Sequence, residues 1–559
     1  MKGMKQLKAR KKLFKTWLLA SLLVLVMLAG CSSNPTNSAP ENTKVAEGST
    51  TEAAATSTEE ANVDFPKSFT YWVSLNGNVS ATLSNLSEVG VYKELEKLTG
   101  TKVEFKHPSG EGAQINEQFN LMIASGNTTD VIERNWLSVP KGPQNAIDEG
   151  TIIKLNDLID QHAPNFKKYL EENPDIATMI KTDEGSIYAF PFIRGHEELM
   201  VFYGPIIRKD WLDKLNLEVP TTIAEWEEVL TAFRDQDPNG NNKKDEIPFL
   251  FKVGGVRNSG LNDLIGAWGI ADQFYQKDGK VMYGEIQPEF KAFISTMAKW
   301  YKDKLIDKDF AVTDGKLTDS KMTNNQLGVI YGYNGSGLGK YMGLMKDANP
   351  EFQLIGIPHP TLNKGETPIL GQKDSAYGGI SAAISGTAKN PEAIAKWLDL
   401  AFSDEGHKLF NFGIEGESYT LVDGNPTYTD LIKKNPDGLP MTQMLGQYTR
   451  SNYDGPFVQD VQYIRQYYEL DAQKDALSTW SNAENKIMMP KITLTNDEST
   501  KLGSIMSDVN TYSEEMITKF IMGSTSLDKF DEYVETLKGF GIEDAIAIQQ
   551  AALDRYNNR

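Results

Sequence analysis

The sequence predicts an α/β protein of two lobes with a helical C-terminal subdomain, and three observations carry that reading. The chain has 559 residues, more than the roughly 100–200 that one core normally uses. Short apolar strands alternate with amphipathic helices twice, once after Asp64 and again after residue 195. Beyond residue 502 the pattern changes to helical spacing alone.

The first lobe begins with Phe69-Thr70-Tyr71-Trp72-Val73, which reads as a buried strand. Val91 to Leu98 reads as a helix closed by Gly100. Lys102 to Phe105 alternates as a strand, Ile115 to Ala124 is helical before Gly126, and Asp130-Val131-Ile132 is a short strand. Such alternation makes a largely parallel sheet, whose ligands gather at the carboxyl ends of its strands. The loops near Ser74 to Ser80 and Arg134 to Leu137 are therefore candidate ligand contacts. In the second unit, Met200 to Tyr203 and Gly328 to Tyr331 read as strands, and Ile223 to Phe233 and Lys291 to Tyr301 as helices. Ile505, Val509, Tyr512, Met516 and Phe520 then repeat on one helical face. Gly523 breaks it, Thr525 and Ser526 cap a second helix holding Phe530, Val534 and Leu537, and Gly539 to Gly541 ends that one.

Composition narrows the function. With 40% hydrophobic and 24% charged residues the chain can bury a large core, which excludes wholesale disorder. A balance of 57 basic against 76 acidic residues gives a net charge of -19 and no general grip on phosphate backbones, so no nucleic-acid partner is expected. Seven basic residues from Lys2 to Lys15 precede an apolar run from Trp17 to Ala29, the layout of a signal peptide and shorter than the roughly 20 residues a spanning helix needs. Leu28-Ala29-Gly30-Cys31 resembles a bacterial lipobox, which implies cleavage before Cys31 and lipidation of its thiol. Two acyl chains would hold the protein firmly at a membrane. Residues 1–30 are thus read as the signal peptide and 31–63 as the lipidated Cys31 with a tether of Ser, Thr, Ala, Asn, Glu and Pro, about 30 Å long as a flexible coil. The mature chain carries -26.

One chemical motif is specific. Asp235 to Glu246 fits the calcium-loop pattern D-x-[DN]-x-[DN]-G-x5-E, in which Asp and Asn side chains on a tight Gly turn supply the six to eight oxygens that Ca2+ needs. The preceding helix fits as well. Ile247 to Phe251 looks extended, so this is no ordinary helix-loop-helix. Counting can start at Asp235 or at Asp237; the other reading of the segment is a solvated Asx/Gly turn. A site filled by protein oxygens would rigidify a lobe and leaves little room for substrate.

At this point the chain resembles the extracellular solute-binding proteins of ABC importers, family 1, in the lipoprotein branch associated with aldouronate and other oligosaccharide uptake. The marks are the lipobox, Ile207 to Leu212 before a capped helix, the Asp-Pro-Asn-Gly-Asn turn ending in Asp245 to Phe249, Tyr377-Gly378-Gly379-Ile380, Gly413 to Tyr419, and the tail segments Lys519 to Gly523 and Ala552 to Tyr556. The resemblance implies a periplasmic-binding-protein-like fold that closes on sugar by hinge bending. It implies one lobe from residues 64–195 with 326–388 returning to it. The other lobe takes 196–325, with the calcium loop, and 389–559, which includes the helical subdomain. For the loop it implies the register Asp237, Asn239, Asn241, the Lys243 carbonyl, Asp245 and Glu246. Its partners would be an oligosaccharide and the transmembrane subunits of an ABC permease, with the chain a lipid-anchored monomer on the extracytoplasmic face of the membrane.

Sugar clefts combine flat aromatic faces with planar polar groups. Candidates at predicted strand ends and hinges are Trp72, Trp136, Tyr188, Arg194, Trp268, Tyr333, Tyr377 and Tyr419, although a core position is the commoner fate of such an aromatic. Arg194 and Arg208 are candidates for a uronate carboxylate, since Arg offers a bidentate fork. Trp211 and Trp397 sit at helical positions and read as core.

Two rivals share these features. A glycoside hydrolase would use two carboxylates, for which Glu415 and Glu417 beside Gly416 are the local candidates. A binding or sensing lipoprotein for peptide or cell-wall fragments would use the same cleft. No catalytic residue is assigned and no enzymatic activity is expected. The five histidines lack HExxH spacing, and Gly335 to Lys340 lacks the first Gly and the Ser/Thr of a phosphate loop.

Overall fold

The computed structural model of the protein describes residues 64–110, 112–250 and 264–559; the predicted signal segment, Cys31 and the tether lie outside them. In chain order the strands begin with β1 Ser68–Trp72, β2 Lys102–Lys106, β3 Val131–Asn135 and β4 Phe190–Arg194. Next come β5 Tyr203–Arg208, β6 Ile247–Leu250, β7 Phe274–Lys277, β8 Lys280–Tyr283, β9 Leu327–Tyr333 and β10 Leu354–Gly356. Then come β11 Tyr377–Ile384, β12 Tyr419–Val422, β13 Asn425–Tyr428 and β14 Val458–Gln459.

The first sheet has the order β14-β4-β11-β3-β1-β2. Its pairs are parallel except those of β11, which runs antiparallel to both β3 and β4. The reversal follows from the route of the chain: β4 leaves this lobe at its carboxyl end, and β11 comes back in at that same end. Helix α1 (Gly90–Thr99) buries Val91, Tyr92 and Leu95 against this sheet and stops where Gly100 turns left-handed at φ 69°. Helix α2 (Ala113–Ser125) is held more lightly, with Phe119 its one fully buried residue.

The second sheet has the order β10-β5-β9-β6, parallel only between β6 and β9. Helix α3 (Ile223–Asp235) starts on a reciprocal cap between Thr222 and Glu225 and turns Trp226, Val229, Leu230 and Phe233 inward. The strand expected at Met200 to Tyr203 is displaced to Tyr203–Arg208. The Met200 carbonyl accepts from Gln372 and Asp374, its amide donates to the Glu197 carbonyl, and the Phe202 amide donates to Gln372. Only the Phe202 carbonyl, which accepts from Asn334, extends the sheet, and the segment is connector.

The lobe boundaries also differ from expectation. Residues 326–388 do not return to the first lobe as a block, because β9 and β10 pair with β5 in the second sheet and only β11 goes back. Residues 389–559 do not all belong to the second lobe. Helices α4 (Pro391–Asp399) and α5 (Asp404–Phe412) bury Ile394, Trp397, Leu409 and Phe410 in the first core, where Trp397 meets the Phe69 ring edge-on at 5.1 Å. Tyr453 and Phe457 join that core and deliver β14 to the edge of its sheet.

The helical subdomain is α6 (Asn496–Ile521), α7 (Phe530–Gly539) and α8 (Ile542–Asn557), with Val509, Phe520, Phe530 and Tyr533 in the second core. It also reaches the first lobe. Asp183, on a turn of that lobe, accepts from Arg555 Nε at 2.6 Å, Arg559 Nε at 2.9 Å and Thr493 Oγ1 at 3.0 Å, while Glu498 takes the other side of Arg555 at 2.5 and 2.8 Å. Among the described residues no helix is long and apolar enough to cross a membrane.

Candidate functional site

The two sheets are joined by connectors at residues 195–202 and 357–376, and polar side chains hold these together. Gln372 accepts from the amides of Phe202 (2.8 Å) and Tyr203 (3.2 Å) and donates to the Met200 carbonyl (3.0 Å) and to Asp374 (3.2 Å). Arg194, the last residue of β4, pairs with Asp374 at 3.1 Å and lies 5.4 Å from the Phe202 ring centre. Phe202 stacks on Tyr333 with 6.0 Å between centroids and 9° between planes, and Tyr203 meets Tyr333 edge-on at 5.1 Å. An aromatic and polar seam therefore runs across the hinge.

On the first-lobe side a cavity of about 360 Å3 opens at the carboxyl ends of β1 and β3, lined among others by Trp72, Ser74, Asn76, Arg134, Asn135 and Asp454. The two loops singled out in the sequence thus border one cavity, where a mostly parallel sheet offers its strand ends. Gly379 shapes its wall: at φ 101° it breaks the register of β11 between Tyr377 and Ser381, and a Cβ there would sit 2.3 Å from Asn135 Oδ1.

Beneath this cavity lies a buried ion pair that the sequence did not indicate. Arg450 donates to Glu133 Oε1 at 2.6 Å and to the Tyr92 hydroxyl at 2.6 Å, while the Tyr71 hydroxyl donates to Glu133 Oε2 at 2.7 Å. Arg450 Nε donates to the Asp454 carbonyl at 2.8 Å. Glu133 and Arg450 are 5% and 2% exposed, so their charges depend on each other for solvation. Burial raises the Asp454 carboxyl above its ordinary value, with Arg194 acting in the opposite sense. Asp454 therefore links this cavity electrostatically to the hinge.

On the second-lobe side a cavity of about 520 Å3 opens at the carboxyl ends of β9 and β6, with Tyr203, Tyr331, Tyr333, Tyr341, Asp319 and Lys340 in its wall. Tyr333, at the end of β9, is 39% exposed and lines this cavity. Lys340 and Asp319 pair with each other at 2.7 Å, and the Tyr341 hydroxyl donates to Asp319 at 2.8 Å.

Of the sequence candidates, Trp72, Tyr333 and Arg194 line the cavities or the hinge between them. The others sit elsewhere. Trp136 is fully buried, with Nε1 donating to the Ile132 carbonyl at 3.3 Å; it follows β3 but turns under the sheet. Tyr188 and Tyr377 are 1% exposed each and share a hydroxyl–hydroxyl bond of 2.6 Å inside the first core. Tyr419 is buried at the base of the β12–β13 hairpin, and Trp268 lies half-buried edge-on to Phe293 at 5.1 Å. Arg208 is fully buried between the Trp211 and Phe352 rings, 4.5 and 4.3 Å from their centres, with Asp210 on its fork at 2.6 and 2.8 Å. It is a packing element of the second lobe, since its charge is already neutralised. Phe202, Gln372, Arg450 and Asp454 were missed; only the fold reveals which partners their side chains meet.

The loop after α3 winds tightly, with Asp237, Gly240 and Asn242 at φ 48°, 71° and 59°. The Asn241 and Asn242 amides donate to the two Asp237 oxygens at 3.1 and 2.9 Å, and the Lys243 amide donates to Asn241 Oδ1 at 2.8 Å. The carboxamides of Asn239 and Asn241 both donate to Asp245 Oδ1, at 3.2 and 2.9 Å. Glu246 Oε1 is buried with no hydrogen-bond partner among the described residues. Burial raises the Glu246 carboxyl, and Asp237 and Asp245 add to the effect. Among the described residues no three His, Cys, Asp or Glu side chains are drawn together in metal-ligating geometry. The side-chain N–H groups of this loop thus converge on one acid, Asp245.

Comparison with known proteins puts these features in context. The profile of the bacterial extracellular solute-binding protein family matches residues 82–408. The fructooligosaccharide ABC transporter substrate-binding protein FusA of Streptococcus pneumoniae serotype 4 is 26% identical over 97% of this chain and 99% of its own length. The lipoprotein LipO of Bacillus subtilis is 25% identical over 80% of this chain and 86% of its own. The polygalacturonan/rhamnogalacturonan-binding protein YtcQ of the same organism is 25% identical over 58% of this chain and 63% of its own. Among solved structures, the alginate-binding protein AlgQ2 without calcium ion covers 88% of this chain and 99% of its own, with 27% identity and a TM-score of 0.68. FusA in complex with kestose gives 25% identity and a TM-score of 0.67 over the same shares.

Proposed function

Because the chain belongs to the family of bacterial extracellular solute-binding proteins, we propose that it captures an oligosaccharide between its lobes and presents it to the transmembrane subunits of an ABC permease. The observation that carries this reading is the pair of cavities at the strand ends of the two sheets, joined across the hinge by Arg194, Phe202 and Tyr333. Two cavity walls meeting over a hinge can enclose a ligand that neither holds alone, and aromatic rings such as Tyr333 in the wall suit the apolar side of a sugar ring. The names of FusA, YtcQ and AlgQ2 state sugars as their ligands, which favours a saccharide over a peptide. Closure would be driven by contacts the ligand makes only when the lobes come together. Transport energy would come from a separate ATPase.

The hydrolase alternative loses support at the cavity itself. Glu133, the best-placed acid there, has both oxygens occupied by Arg450 and Tyr71, so it is poorly suited to trade protons with a glycosidic oxygen. We assign no catalytic residue.

We further infer that Cys31 carries a lipid anchor on the outer face of the membrane, in keeping with the lipoprotein relative LipO. We also infer that the loop from Asp237 to Glu246 holds Ca2+. The residues fit such a hard cation: Asp237, Asn239, Asn241, Asp245 and Glu246 supply side-chain oxygens, Lys243 supplies its carbonyl, and Glu246 Oε1 is a buried acceptor without a donor. The ion would neutralise three crowded carboxylates and tie the end of α3 to the start of β6. Changing Asp237 and Glu246 together should lower the melting temperature and remove its calcium dependence. Identical melting with and without a chelator would reject calcium.

The test of the main reading is thermal-shift and calorimetric screening of residues 64–559 against neutral and uronate-containing oligosaccharides, with mass spectrometry of every sample. Stabilisation by an intact sugar supports a binding protein. Cleavage would put the hydrolase first, and silence toward every sugar would reject the saccharide reading.

A further inference from the structure

We propose that the solute held in the first-lobe cavity carries an acidic group, a uronate carboxylate, and that Arg134 is the residue that pairs with it. This rests on the oligosaccharide reading above and adds the chemical class of the sugar.

The argument begins with the arginines. Arg194, Arg208, Arg234, Arg450, Arg465, Arg555 and Arg559 each pair with an Asp or Glu. Arg134 is the exception among the described arginines. Its Nε and Nη1 are buried without a hydrogen-bond partner, and Nη2 makes only a long 3.3 Å bond to Asn116 Oδ1. Its guanidinium lies 3.7 Å from the centre of the Phe119 ring, a stacking contact that leaves the in-plane N–H donors unused. A half-buried cation without an anion is unfavourable unless something supplies the missing charge. Burial pulls Arg134 down to about 10, which still leaves it charged at neutral pH.

The position fits recognition better than packing. Arg134 stands near the carboxyl end of β3 and lines the first-lobe cavity beside Ser74, Asn76 and Asn135, all neutral groups suited to hydroxyls. The two acids of that wall are otherwise engaged. Glu133 is neutralised by Arg450, and Asp454 is raised by burial and lies within reach of the fields of Arg194 and Arg450. Among the described residues of that wall, the unbalanced charge offered to a ligand is therefore Arg134. The two elements that hold it, Asn116 and Phe119, both come from the lightly packed α2, so a carboxylate entering the cavity can displace the long Asn116 bond and take the guanidinium edge. The mature chain carries -26, which works against an acidic sugar at long range, so selection would come from this short-range pairing.

The experiment is isothermal titration of the calcium-loaded protein with oligogalacturonates, alginate oligomers and aldouronates. Each is paired with its carboxyl-reduced counterpart, and sulfated oligosaccharides form a separate arm. A site built to pair a charged group rejects the analogue lacking it. At least one acidic sugar should bind at least tenfold tighter than its reduced form. Arg134→Gln should abolish that preference with no fall in the melting temperature of the free protein, and Arg134→Lys should keep part of it. Equal affinity for acid and reduced forms, a preference untouched by Arg134→Gln, or tight binding of neutral or sulfated sugars alone would overturn the proposal while leaving sugar capture standing. Failure of every sugar would remove both. Should Arg134→Gln fail to fold, the comparison of acid and reduced sugars on the wild-type protein, with Arg134→Lys, still decides.

Discussion

Removing Arg450 tests the most heavily interlocked contact in the molecule. Arg450→Met strips Glu133 of its cation and leaves a buried carboxylate with one donor, the Tyr71 hydroxyl. Breaking a buried pair from one side costs roughly 3–5 kcal/mol, and Glu133→Leu should cost a similar amount by stranding the guanidinium. The double variant Glu133→Leu/Arg450→Met strands neither charge. Its losses are the hydroxyls of Tyr71 and Tyr92 left without partners, together about 2–4 kcal/mol, well short of the roughly 6–10 kcal/mol that simple addition predicts. Urea unfolding followed by tryptophan fluorescence, with midpoints and slopes compared across all four proteins, measures the cycle. If the two single losses add within about 0.5 kcal/mol, or if Arg450→Met costs less than about 1 kcal/mol, then the pair does not bind residues 450–459 to the first lobe as the distances imply.

Three further outcomes follow from the described geometry. Tyr333→Ala, which removes an exposed ring at the end of β9, should weaken sugar binding about tenfold with little change in melting temperature, and unchanged affinity in calorimetry would take Tyr333 out of the site. Glu285 is fully buried, and burial reinforced by Asp272 raises its carboxyl to about 8. The unfolded chain ionises first, so stability should fall as pH rises from about 4.5 to 8; Glu285→Gln should flatten that fall, and an equal slope in both proteins would contradict it. Burial alone would raise Asp183, but hydrogen bonds from Arg555 and Arg559 outweigh it and hold the carboxyl below its ordinary value. Its contribution is therefore present at neutral pH and lost as pH falls below about 4, which hydrogen exchange in residues 542–557 should register and Asp183→Asn should abolish.

Local pattern made much of the fold legible. β1, α1 and β2 follow from the alternation of Phe69 to Val73, the helical face of Val91 to Leu98 and the stop at Gly100, all decided within a few residues. The reading slipped at Met200 to Tyr203, where apolar residues resemble a strand but the Met200 carbonyl and the Phe202 amide bond Gln372, about 170 residues away in the chain. The lobe boundaries failed for the same reason, because which core receives Trp397 depends on its meeting with Phe69. The site was legible as loops and less so as residues. Strand ends at Ser74 and Arg134 were located from periodicity, yet Trp72 and Trp136 look alike in sequence, and only packing puts one at the cavity and the other beneath the sheet. Arg134 stands out once every other described arginine has found its carboxylate, a property of the assembled set.

The placing of β11 has a consequence for how the protein comes to be folded. It lies in the middle of the first sheet, between β4 and β3, yet it is synthesised some 180 residues after β4, and β14 closes the edge of that sheet later still. Until Tyr377–Ile384 arrives, β3 and β4 have no partner on their facing edges, and the core beneath them stays open. The nascent amino-terminal third can pair β1 with β2 and β3 but lacks the strand that covers the other edge of β3, and contacts of such long sequence separation form slowly. An order of assembly in which the earliest strands wait for a late one leaves the first sheet incomplete while the chain is being made. For a chain exported as proposed above, such late completion would suit passage across the membrane before the lobes form.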